Sequence, residues 1–70
     1  MPKLPKGKEM VKKLGRIGFE VKRIKGSHTV MVRGSEIVVV AVHAGKEVKL
    51  GFFRDTLKLL DLTEKDFWDI

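Results

Sequence analysis

Seventy residues leave room for one small core and no deep cofactor cavity. The absence of cysteine excludes disulfide staples, thiolate nucleophiles and sulfur-based zinc sites, and fits a reducing compartment. Fifteen Lys and Arg against nine Asp and Glu give a net charge of +6, concentrated at the front: residues 1–25 hold nine basic and two acidic side chains, whereas residues 61–70 hold one and four.

A basic front suits a polyanion, because each phosphate contact releases counterions. A solvated charged surface accounts for the same numbers, so charge alone does not choose between them. No apolar run is long enough for a signal peptide or a membrane span, and the expectation is a single domain over residues 1–70 in the cytoplasm.

Pro2 and Pro5 hold the first residues extended. Met10, Val11, Leu14 and Ile17 then recur at helical spacing, with Lys8, Lys12, Lys13 and Arg16 largely off that stripe, which predicts an amphipathic helix with a cationic outer face. Gly18 is placed to end it in the left-handed conformation.

From Phe19 the period changes to two, predicting a strand with Phe19, Val21 and Arg23 on one side and Glu20, Lys22 and Ile24 on the other, up to a bend at Gly26. Two further strands follow, over 27–33 and 36–43, divided by Gly34-Ser35, a pair suited to a two-residue hairpin turn. Such a turn pairs Arg33 with Glu36 and therefore His28 with Ala41. His28, Val30 and Val32 then share a face with Ile37, Val39, Ala41 and His43, which brings both histidines of the chain to one end of one face.

The segment 44–47 reads as a loop. A second helix is expected from about 52 to 60, burying Phe53, Leu57 and Leu60, and Asp61 and Leu62 break its pattern. Thr63 caps a last short helix with Asp66 at its third position, Leu62 can staple onto Phe67, and Trp68 anchors the tail. Phe52, Phe53, Phe67 and Trp68 read as core rather than as a base-stacking platform. The whole is an α+β domain of order αβββα: a three-stranded antiparallel sheet with two helices on one face and a short C-terminal helix. Double-stranded-RNA-binding domains use that order, although a fold does not fix a function.

The landmarks, taken in order, resemble a known family. Leu4-Pro5, Gly7-Lys8-Glu9, Gly18-Phe19 and above all Gly26-Ser27-His28 are followed by Val42-His43, Gly45-Lys46-Glu47, Lys49, Gly51, Arg54, Leu57 and the ending from Thr63 to Trp68. This series resembles the HicA-type (YcfA-like) mRNA interferase toxins. Four positions depart from the family's usual pattern: Thr29 where many members have a second histidine, Ala41 where a proline often precedes Val-His, Phe52 where a threonine is common, and Asp61 where a glycine ends the second helix. The last two imply a locally altered helix.

The resemblance implies a metal-independent endoribonuclease without a cofactor, whose partners are mRNA and a HicB-type antitoxin. His28 matches the family's catalytic histidine. With an ordinary pKa near ~6.5, a histidine can take the proton of a ribose 2′-hydroxyl or give one to the departing 5′-oxygen. Lys25, with Lys22 or Arg23, is a candidate for phosphate binding, and Lys8, Lys12 and Arg16 for the flanking backbone. His43 is a second acid/base group, a substrate contact, or a residue that shapes its loop. Ser27 is a turn residue within reach of RNA rather than a nucleophile, since no Ser-His-Asp arrangement is evident. Two histidines and scattered carboxylates do not make a metal site. The rival readings are an RNA-binding module of the same fold without turnover, and a domain whose partner is another polypeptide.

Overall fold

A computed structural model describes residues 3–70; Pro2, expected to be extended, lies outside them. The elements run α1 (Gly7–Arg16), β1 (Glu20–Lys25), β2 (His28–Arg33), β3 (Glu36–Ala41), α2 (Leu50–Leu60) and α3 (Glu64–Trp68), and the strands form one antiparallel sheet in the order β1-β2-β3. This is the αβββα arrangement expected.

Both hairpins turn on glycine. Gly26 and Gly34 each have φ of 58°, a conformation that costs a side-chain-bearing residue strain. The second turn fixes Arg33 against Glu36, and the register then runs unbroken to His28 against Ala41. The first brings Lys25 opposite His28.

Strand alternation divides the sheet into two unlike faces. Thr29, Met31, Val38 and Val40 are buried, and the apolar ones pack in one cluster with Met10 and Leu14 of α1, Phe53 and Leu57 of α2, and Phe67 of α3. The helices therefore cover this face. The other face, bearing His28, Ile37, Val39 and Ala41, is open.

β1 departs from simple alternation. A bulge between Val21 and Arg23 shifts the register, so Val21 pairs with Met31 and Ile24 with Thr29, while Arg23 and Lys25 pair with Val30 and His28. Val21 and Arg23, expected on one side, thus lie on opposite faces, because the extra residue inverts everything after it.

The helix ends also differ from the expected ones. α2 begins at Leu50 rather than near residue 52, after Lys49, which supplies no side-chain cap. Asp61 ends it with φ 54° and ψ 44°, taking the left-handed position that glycine adopts most cheaply; the Leu62 N–H donates to the Leu57 carbonyl at 2.9 Å and completes the wrap. α3 has the expected reciprocal cap: the Asp66 N–H donates to Thr63 Oγ1 and the Thr63 N–H to Asp66 Oδ2, both at 3.0 Å.

Lys13 is not on the outer face. It is 8 % exposed, and its Nζ donates to the carbonyls of Ile70 at 2.9 Å and Trp68 at 3.3 Å while lying 5.6 Å from the ring centres of Phe67 and Trp68. The tail covers this lysine and the lysine holds the tail. Phe53 and Phe67 meet edge to face at 5.1 Å, which ties α3 to α2.

Candidate functional site

Two long-range backbone contacts shape the site. The segment after β3 folds back so that Lys6 and Glu47 form an isolated antiparallel bridge, and the Val48 N–H donates to the Pro5 carbonyl at 2.9 Å. Gly7 sits where α1 starts against the end of β3; a Cβ there would lie 2.8 Å from the Ala41 carbonyl oxygen and 2.9 Å from the Val42 Cα. Any larger residue would push the helix and strand apart.

The loop held in this way forms the wall of an open cleft of about 690 Å³. Its sheet side is His28, Val39 and Ala41, its loop side His43 and residues 46–49, and Phe52 of α2 closes it. A cleft of this size is in the range of small-ligand sites. His28, exposed on β2, and His43, exposed in the loop beyond the end of β3, line the same cleft from two directions. β3 ends at Ala41, so His43 is a loop residue and not, as expected, a strand residue.

The cations that line the cleft or are expected to meet RNA fall into three groups. Lys46 and Lys49 line the cleft itself. Neither stands among the expected RNA contacts, although both belong to the Gly45-Lys46-Glu47 and Lys49 landmarks that carry the family resemblance. Lys25 and Arg23 form a second group on the open sheet face, Lys25 directly across the ladder from His28. Lys22 lies in the bulge, between the residues where the register shifts.

Lys8, Lys12 and Arg16 are exposed on α1, apart from the cleft lining. Arg16 is drawn to the tail, where one guanidinium nitrogen donates to the Ile70 carbonyl at 3.2 Å. Ser27 acts through its backbone, since its carbonyl accepts from the Val42 N–H and so extends the β2–β3 ladder past Ala41.

Of the aromatic residues expected in the core, Phe53 and Phe67 are fully buried, whereas Phe52 is half-buried and forms part of the cleft wall. Among the described residues, no group of three or more His, Asp or Glu side chains is placed to hold a metal ion. No helix among them is long and apolar enough to cross a membrane.

No curated protein sequence matches the chain significantly. The profile of the family described as "HicA toxin of bacterial toxin-antitoxin" matches residues 7–62, from the first residue of α1 through the end of α2 and the residues that follow it. That span includes both glycine turns, His28, His43 and the loop that walls the cleft. The chain belongs to the HicA toxin family of bacterial toxin–antitoxin systems.

Proposed function

We propose that this toxin is an mRNA-cleaving endoribonuclease that needs no metal ion, with His28 as its acid/base group, and that a HicB-type antitoxin neutralises it. The observation that supports this most is the cleft shared by His28 and His43, flanked by Lys46 and Lys49 and bordered by Lys25. In the proposed reaction a ribose 2′-oxygen attacks the adjacent phosphorus, the bond from phosphorus to the 5′-oxygen breaks, and two protons move. One leaves the 2′-hydroxyl and one arrives at the 5′-oxygen. Two imidazoles can divide these transfers, and the lysines can stabilise the extra negative charge of the phosphorane.

His28 is assigned one proton transfer and His43 the other, or a contact that holds the substrate. Lys25, Arg23 and Lys22 bind phosphates beside the cleft, Ser27 lies at its turn, and Lys8, Lys12 and Arg16 supply weaker contacts to RNA extending over α1. The test is cleavage of a structured and an unstructured RNA by the purified protein in EDTA, with His28→Ala and His43→Ala alongside. Cleavage that persists in EDTA and disappears with His28 supports the proposal. A folded parent protein that binds RNA without cutting it overturns it in favour of an RNA-binding module.

A further inference from the structure

The two edges of the sheet are built differently. β1 is irregular and charged: it carries the bulge and four exposed charged residues, Glu20, Lys22, Arg23 and Lys25. Bulges and edge charges are the usual means of preventing another strand from pairing. β3 has neither. Its register is regular over all six residues, and from Ile37 to Ala41 it is uncharged, apolar and free of proline.

The backbone of β3 is also available for pairing. The Val42 N–H points to Ser27 on β2, so alternation directs the N–H and carbonyl groups of Ile37 and Val39 away from the sheet. Among the described residues no backbone hydrogen bond outside the ladder reaches these groups. Ile37 and Val39 are 60 % and 43 % exposed. Further along, Gly7 closes the strand's end at the Ala41 carbonyl.

A groove follows this edge. Between β3 and α2 a depression of about 190 Å³ is lined by Ile37, Val38, Asp55, Thr56 and Leu59, and it shares Val39 and Phe52 with the histidine cleft. The two depressions therefore adjoin: the Leu59 end is mainly apolar with Asp55 as its one charge, and the other end has Lys46 and Lys49 against the single carboxylate of Glu47.

We propose that the free edge of β3 is a strand-addition site, which takes an extended segment of an acidic protein partner and leads its acidic end into the cleft beside His28. The inference rests on the toxin–antitoxin reading for the existence of a protein partner. A peptide is the matching chemistry because the edge offers both donors and acceptors, while an RNA backbone offers mainly acceptors. A second copy of the chain would bring another +6 against the first. In an antiparallel addition the partner's N-terminal end lies toward Ala41, so the acidic residues come first and alternate apolar side chains enter the groove.

Amide hydrogen exchange measured residue by residue tests this without any need for RNA cleavage. The probe is an acetylated, amidated peptide that begins with two glutamates and continues as alternating valine and threonine, added at millimolar concentration. In the free protein the amides of Ile37 and Val39 should exchange faster than those of Val38 and Val40, and the peptide should slow Ile37 and Val39 by about tenfold or more. The same peptide N-methylated at alternate valines should give no protection, a control that leaves the protein's fold untouched. Ile37→Pro, which removes an N–H that the sheet itself does not use, should also weaken binding about tenfold or more.

No protection by the first peptide, or equal protection by the methylated one, overturns the proposal. So does protection of the same amides by an RNA oligonucleotide or by raising the protein concentration, which would assign the edge to RNA or to a second copy. A protein that cuts no RNA and still shows the peptide effect would retain this inference and lose the ribonuclease assignment.

Discussion

Lys25 and His28 are cross-strand partners, joined by the two-residue turn Gly26-Ser27 and projecting from the open face of the sheet. The pairing makes the lysine the nearest cation along the hairpin to the proposed acid/base group, on the side away from Lys46 and Lys49. Their roles separate experimentally. His28→Ala should reduce RNA cleavage about 10²–10⁴-fold, the usual range for a lost acid/base group, with little change in RNA affinity. Lys25→Ala should weaken RNA binding and lower the slope of log affinity against log salt by about 1, as expected for one lost phosphate contact. Single-turnover cleavage and a salt titration of binding would show both effects, and a reversed pattern would exchange the roles.

The cleft lysines should act more strongly than those of α1. Lys46→Ala and Lys49→Ala remove charges lining the cleft, whereas Lys8→Ala and Lys12→Ala remove charges outside it. Close cations stabilise developing charge, and distant exposed ones are screened within about 8 Å at physiological salt. The cleft pair should therefore lower the cleavage rate at saturating RNA, and the helix pair should alter only the binding constant. Equal effects from all four would point to a diffuse basic surface without a defined cleft.

How much of this could be read from the chain depends on the range of the forces involved. Gly34-Ser35 determines its register locally, so the pairing of His28 with Ala41 follows from the turn alone. Thr63 and Asp66 satisfy each other three residues apart, and their cap is equally local. The bulge in β1 carries no glycine or proline to announce it, because an exposed edge strand accepts an extra charged residue without any special backbone. Lys13 appears on a helical wheel as one more surface lysine; its burial depends on carbonyls more than fifty residues away. Lys46 and Lys49 reach the cleft only because the bridge from Lys6 to Glu47 folds their loop back, and no periodicity records that contact.

Asp66 gives the tail a defined response to acid. Its carboxyl is held below the ordinary 3.8, first by the Thr63 backbone N–H and then by the Thr63 hydroxyl; slight desolvation opposes them, and the charge of Lys65 adds to them. A lowered carboxylate pKa favours the folded state above the ordinary value, and that contribution disappears as the pH falls through the lowered one. Asp66→Asn should therefore melt at a lower temperature than the parent at neutral pH, and the difference should shrink in acid. Thermal melts across the acid range would record this convergence, and a gap independent of pH would assign the effect to the lost acceptor geometry alone.

Asp61 is the one residue other than glycine with a positive φ among the described residues. A residue with a Cβ at φ 54° carries a cost of about 1 kcal/mol that glycine avoids, although glycine surrenders part of the gain to unfolded-chain entropy. Asp61→Gly should consequently raise the melting temperature slightly, and Asp61→Val, branched at Cβ, should lower it clearly. Both substitutions lie outside the cleft, so neither should change RNA cleavage at a temperature where the protein is fully folded.

Lys13 provides the most direct test of how the tail is held. Truncation to alanine removes two hydrogen bonds from a buried ammonium group and opens a gap beneath Phe67 and Trp68, at an expected cost of about 2 kcal/mol. Lys13→Met fills most of the gap without the charge, so it should recover part of the packing and none of the bonds to the Trp68 and Ile70 carbonyls. The single tryptophan reports on this region without a label. In Lys13→Ala its emission should shift to the red and become more accessible to acrylamide before global unfolding, with Lys13→Met intermediate. If all three proteins keep identical Trp68 emission up to one common unfolding transition, α3 is held by Phe67 and its own cap, and neither the packing of the buried lysine nor its hydrogen bonds hold the tail.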